Sequence, residues 1–228
     1  LVGCGAEVRV IYDADRDNLA LLKASFPEAR VAASEEEVLD DPEIKLVAAA
    51  AVPNERGATG ERVMQAGKDY FTDKCPFTNL RQLESAHAVA AATDRKYIVY
   101  YGERLHNEAI IRAGQLIHEG AIGRVIQVAG FGPHRLEAHN RPDWFYQRER
   151  YGGIICDLGS HQMDKFLHFA GCSGARVLSS SVANYDHPQY PELEDFGQAT
   201  LTVDGATCYF RVDWFTPDGL RTWGDGRT

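Results

Sequence analysis

The chain has 228 residues, 44% apolar and 25% charged, an ordinary globular balance that excludes a disordered, collagenous or coiled-coil protein. Thirty-three acidic against 24 basic residues leave a formal net charge of −9, with no basic run to neutralise phosphates, so nucleic acid is not an expected partner. The longest unbroken apolar run, 46–52, is far short of the roughly 20 residues a bilayer-spanning helix needs, and neither a membrane anchor nor a leader is expected.

Such a length suggests one large domain or two modest ones. The first hundred residues alternate short apolar runs with helical patterns, the signature of strand-helix-strand units on a parallel sheet. Val8, Val10 and Tyr12 alternate within one strand that Asp13 ends. A helix follows over 15–26 and a short strand over 30–32, after which Ser34 and Glu37 read as a capping box. Residues 45–52 have the continuous apolar character of a central strand buried on both faces. Then come a helix over 55–66 stopped by Gly67, a strand over 70–72, a helix over 78–92 and a strand over 97–101.

Beyond a helix over 107–119 the pattern changes. Strands lengthen to 124–131, 175–183, 197–203 and 207–214, and Asp204-Gly205 between the last two is a hairpin signal. The expected fold is therefore α/β: a doubly wound parallel sheet over 1–103 that binds a dinucleotide, then over 104–228 an α/β domain with an open, largely antiparallel sheet for substrate and oligomerisation. An open sheet face must be covered, which suggests a homodimer or homotetramer. Five scattered cysteines without a C-x-x-C pair fit a reduced, cytoplasmic setting. Leu1 reads as mid-strand and 224–228 as a turn leading onward, so both ends are expected to be cut.

Gly3-Cys4-Gly5 supplies the first two glycines of a dinucleotide-binding turn, which brings backbone close to a diphosphate at a helix N-terminus. The third expected glycine falls on Val8, and Asp13 comes too soon for the ribose carboxylate about 20 residues on. The simplest repair is a missing helix, and a chain break, between Gly5 and Glu7. Asp13 would then accept hydrogen bonds from an adenosine ribose and favour NAD; Arg16 beside it keeps NADP as the alternative. Asp73 and Lys74 follow a strand at the ligand-binding edge of the sheet.

Gly152-Gly153-Ile154-Ile155-Cys156-Asp157-Leu158-Gly159-Ser160-His161 is the strongest local signal. Paired glycines allow backbone to approach a ligand. Asp157 and His161, four apart, share a helical face and form a proton-handling pair. His134, Arg135, Trp144 and Tyr146 lie in a stretch mixing cations with rings, suited to a sugar-sized pocket or to a subunit interface. A metal site built from His134, His139, Asp157 and His161 is a rival reading, but the spacing matches no closed or open site.

Gly3-x-Gly5, Asp13, Pro53-Asn54, Asp73-Lys74 and the 152–161 segment together resemble the Gfo/Idh/MocA oxidoreductase family over nearly the whole chain. The resemblance implies a Rossmann domain followed by an open-sheet domain, and hydride transfer between NAD(P) and a sugar, cyclitol or related polyol. It implies a catalytic Lys74 from the family's Glu-Lys-Pro motif, with Asp157 and His161 binding substrate or relaying a proton, and Pro53 and Asn54 beside the cofactor. Here Asp73 replaces the glutamate and Cys75 the proline. A non-proline cis bond costs about 3 kcal/mol, so a different backbone path around Lys74 is expected. A regulatory protein of the same fold, sensing a dinucleotide or a sugar without turnover, is the alternative.

Overall fold

The computed structural model describes residues 2–221, and of Cys4 the backbone only. The expectations about Leu1 and 224–228 lie outside the described residues. A single 3-10 turn, Val2–Cys4, opens the chain. From Gly5 the backbone continues through Ala6 and Glu7, without helix, into strand β1 (Val10–Ile11). The glycine turn thus runs on toward a strand with no helix between them.

β1 pairs in parallel with β2 (Arg30–Val31) across helix α1 (Arg16–Ser25). Asp15 caps α1 by accepting from the N–H groups of Asp17 and Asn18. Ser34 caps α2 (Glu35–Leu39), accepting from Glu37 N–H at 3.4 Å, while the Glu37 carboxylate accepts from Ala33 N–H at 2.7 Å.

A second sheet joins β3 (Leu46–Ala49), β4 (Asp69–Asp73) and β5 (Tyr97–Tyr100), all parallel, in the order β3-β4-β5. Helices α3 (Pro53–Gln65) and α4 (Leu80–Thr93) make the crossovers. The run 45–52 was expected to be central and is instead an edge, with no residue of β3 buried. β1 and β2 form their own sheet, so β3 pairs with β4 alone. β4 takes the interior place, burying Tyr70 and Thr72.

After α5 (Gly102–Leu105) and α6 (Glu108–His118), a third sheet contains β6 (Gln127–Pro133), β7 (Arg176–Ala183), β8 (Phe196–Val203) and β9 (Ala206–Asp213), in the order β6-β9-β8-β7. The β8–β9 hairpin turns at Gly205, whose φ is +80°. β6 runs parallel to β9, so the sheet is mixed. Alternation along β9 buries Ala206, Cys208, Phe210 and Val212 on one face. A π-turn, Ile155–Gly159, and helix α8 (Ser160–Ala170) cover that face. Gly159 permits the close approach, since a Cβ there would lie 3.0 Å from the Phe210 ring. The opposite face exposes Phe131, which pairs with Arg211, whereas Val177 and Val182 lie on the same face as Leu201 and Val212 and are exposed along the edge strand β7. No helix among the described residues is long and apolar enough to cross a membrane.

Candidate functional site

Parallel strands deliver their carboxyl ends to one edge of a sheet, and the residue directly after β4 is Lys74. The Lys74–Cys75 peptide is cis, although no proline stands there. Arg56, buried on α3, fixes this turn by donating to the backbone carbonyls of Ala51 at 2.7 Å, Asp73 at 3.1 Å, Cys75 at 3.2 Å and also Lys74. Lys74 thus projects into a cavity of about 440 Å³ between this sheet edge and the elements over the third sheet.

Across that cavity the π-turn presents Asp157 and the first turn of α8 presents His161. Lys74 Nζ donates to the Asp157 carboxylate and, at 3.0 Å, to the Asp157 carbonyl. Burial works against both charges, and each offsets that cost for the other. Despite burial the carboxyl stays below the usual aspartate range because of the Lys74 ammonium, and the amine stays above the usual lysine value because of Asp157.

His161 is 6% exposed, and burial pushes its imidazole down to about 4, with Lys74 adding to the fall and Glu103 opposing it. The ring is therefore neutral near pH 7, and its Nδ1 has no hydrogen-bond partner among the described residues. Asp157 and His161 line one cavity without bonding to each other, because the carboxylate is engaged by Lys74.

Pro53, Asp73, His134 and Trp144 also line this cavity. Arg135, expected there, is buried outside the lining, because alternation along the strand extension turns it away from its neighbour His134. Tyr146 is likewise not a lining residue: its ring stacks on Tyr190 at 3.8 Å and its hydroxyl donates to the Ala138 carbonyl. Asn54 sits beside the lining residue Pro53, with a buried Oδ1 that has no partner among the described residues.

The glycine pair does not face the cavity either. Gly152 and Gly153 turn the chain at φ of +88° and +87°, and a Cβ on Gly153 would collide with Glu194 and Arg148, which form a salt bridge over it. His139 is exposed in the 3-10 turn Ala138–Asn140, apart from the other three residues of the metal reading. No group of three His, Cys, Asp or Glu among the described residues could hold a metal ion.

The remaining cofactor candidates lie elsewhere. Asp13 accepts from Asp15 N–H at 2.8 Å at the end of β1, and Arg16 begins α1. Gly3 and Gly5 have nothing within 4 Å of where a Cβ would stand. With no helix after the Gly3-Cys4-Gly5 turn, no helix N-terminus backs it.

Arg56, Glu103, Arg141, Pro142, Phe145, Tyr151, Leu158 and Trp214 complete the lining. Glu103 and Trp214 went unread in the sequence. For Glu103 the signal was available: like Lys74, it follows the carboxyl end of a parallel strand. Its carboxylate meets Lys165 Nζ at 3.0 Å and His134 Nε2 at 3.3 Å. Trp214 gave no signal, since it reads as one more apolar position at the end of a strand.

Residues 110–226 match the model of the GFO/IDH/MocA C-terminal domain. The chain is 32% identical over 188 residues to scyllo-inositol 2-dehydrogenase (NADP(+)) IolW of Bacillus subtilis (strain 168), covering 79% of this chain and 49% of that protein. It is 29% identical over 130 residues to D-xylose dehydrogenase of Paenarthrobacter nicotinovorans, covering 54% and 33%. The chain thus spans between a third and a half of these two relatives. A crystal structure from Erwinia carotovora atroseptica SCRI1043, provisionally described as an oxidoreductase, superimposes with a TM-score of 0.93 at 49% identity, over 98% of this chain and 67% of that one.

Proposed function

The chain belongs to the Gfo/Idh/MocA family, and from that premise we propose that it is an NAD(P)-dependent oxidoreductase acting on a hydroxyl or carbonyl of a sugar, cyclitol or related polyol. Its curated relatives named above are dehydrogenases of an inositol and of xylose, one of them named for NADP. The reading divides the molecule into a dinucleotide-binding part, 1–103, and a substrate-binding part, 104–228. NAD is the favoured cofactor because Asp13 ends a parallel strand, where a carboxylate suits a ribose and repels a 2'-phosphate; NADP is the alternative.

The residues present fit the nicotinamide end of such a cofactor. Pro53 begins the 13-residue helix α3, whose N-cap residue Val52 makes no side-chain capping bond, and Asn54 Oδ1 is a buried acceptor awaiting a donor. The glycine turn, lacking a helix behind it, offers no comparable cradle for the diphosphate. When bound, the nicotinamide supplies hydride acceptance.

The chain's own residues supply the proton chemistry. Neutral His161 accepts the proton of the substrate hydroxyl, and the Lys74 ammonium stabilises the alkoxide that develops. Asp157 keeps Lys74 charged and aimed. His134 and Trp144 bind the substrate from the opposite wall.

The observation that carries this reading is a buried ion-paired amine and a neutral imidazole, its Nδ1 without a hydrogen-bond partner among the described residues, converging on one sugar-sized cavity. Lys74→Met is expected to lower turnover at least a hundredfold, followed as NADH formation with a panel of sugars and polyols, while cofactor affinity is retained. Unchanged turnover rejects the assignment. A homodimer or homotetramer in the cytoplasm completes the proposal; the exposed Phe131 on the open sheet face, and Val177 and Val182 along the edge strand β7, support an interface at this sheet.

A further inference from the structure

A guanidinium in the cavity wall makes no ion pair among the described residues, in contrast to Lys74 and Glu103 in the same lining. Arg141 Nε donates to the Leu136 carbonyl at 2.9 Å, which anchors one edge of the group. Its Cζ lies 4.4 Å from the Phe145 ring centroid and 5.2 Å from that of Trp214, so the plane rests on an aromatic shelf. All three residues line the cavity. Arg141 makes no ion pair with a carboxylate among the described residues.

Most other polar groups nearby are engaged within the protein. Lys74 is paired with Asp157, and Glu103 meets both Lys165 and His134. Arg56 donates to four backbone carbonyls. Asp73 is exposed at the end of β4. Trp214, 4% exposed, adds an indole N–H with no acceptor among the described residues. In a protein of net charge −9, a fixed guanidinium fork beside an unused donor is a recognition element for an anion, above all a planar carboxylate.

We propose that Arg141 selects a substrate bearing a carboxylate, so that the ligand is a sugar acid or related polyhydroxy acid and not a neutral polyol. The proposal rests on the reading of this cavity as a sugar-sized substrate site and sharpens it. Arg141 stands with the aromatic wall and not with Pro53 and Asp73, so the carboxylate is assigned to the substrate and not to a cofactor phosphate.

The test needs no turnover. Trp144 and Trp214 both line the cavity, so ligand binding is read as a change in tryptophan fluorescence, without nicotinamide. The probes are D-glucuronate and D-galacturonate against D-glucose and D-galactose, at constant ionic strength. The acids are expected to bind at least tenfold more tightly than the neutral sugars. Arg141→Met should abolish that preference, and Arg141→Lys, keeping the charge without the fork, should retain only part of it.

Equal affinity for acid and neutral sugars, or no response to any of the four, overturns the proposal. So does an Arg141→Met variant that weakens NADH binding while leaving an acid preference intact, because the guanidinium would then serve the cofactor. An acid preference lost in the variant, with no NADH formed from any substrate, supports the carboxylate site while rejecting the oxidoreductase reading.

Discussion

Residues 10–40 and residues 127–213 are both regular structure, but different forces hold them. Helix α1 buries no residue, and its two flanking strands pair over two residues each. Its order comes from local devices, the Asp15 cap and the Lys23 amine bridging the carbonyls of Pro27 and Ala29, and the short α2 after it has its Ser34 cap. The third sheet instead buries Phe210, Val212, Ile154 and Phe166 completely or nearly so, in one cluster drawn from 136–214. Caps specify where a helix begins, yet most helix stability in proteins comes from packing a face. The two cavity residues of the proton chemistry that lie beyond Lys74, Asp157 and His161, stand on the packed side.

The largest test of this contrast is Phe210→Ala. Phe210 is fully buried and its ring supports Gly159 of the turn that carries Asp157. The substitution should cost about 3–5 kcal/mol in urea unfolding. It should also lower activity in whatever fraction remains folded, since the turn loses its floor. A cost below 1 kcal/mol would mean that the cluster is not what holds the molecule together.

His161 gives the next largest effect. Burial pushes its pKa down to about 4, below the ordinary histidine value of 6.5. Between those values the unfolded chain binds more protons than the native one, so stability rises with pH across that window and falls as pH drops from 6.5 toward 4. The contribution at stake is about 3 kcal/mol. Glu103 and Asp157 have lowered values, so the stability they add is present above the ordinary carboxylate range and is lost only at more acid pH. His161→Gln should therefore flatten the denaturation midpoint between pH 4 and 6.5 while leaving the steeper acid limb in place. An unchanged slope would place the histidine outside the dry interior.

The sequence exposed the elements well where a local signal existed. Ser34 with Glu37, Gly67 and Asp204-Gly205 each mark a boundary through a cap or a positive φ, and such signals do not depend on distant residues. The Lys74, Asp157 and His161 trio was legible because a strand end and an i, i+4 spacing are readable along the chain. What failed was whatever depends on a neighbour in space. Residues 45–52 look like a central strand, but β3 is an edge because no strand of the first sheet reaches it. The i, i+4 spacing pairs Asp157 with His161, whereas the lysine 83 residues away claims it. Arg135 was grouped with His134, though consecutive positions of a strand face opposite ways.

The smallest expected effect is the sharpest check on the opening contrast. Leu21 lies on α1 and is 69% exposed, so it contributes area to no interior. Leu21→Ala should change stability by less than about 0.5 kcal/mol, the range of surface substitutions, and alanine's helix propensity slightly offsets even that. Amide hydrogen exchange should report the same division without a mutation. Protection over α1 is expected to be limited by local opening and to fall well short of that of β8 and β9, which open only with the whole molecule. A Leu21→Ala cost of 2 kcal/mol, or equal protection in the two regions, would mean that α1 is packed in solution against a surface. That surface would then be a further copy or segment of the protein, and the local caps would no longer account for the order of residues 10–40.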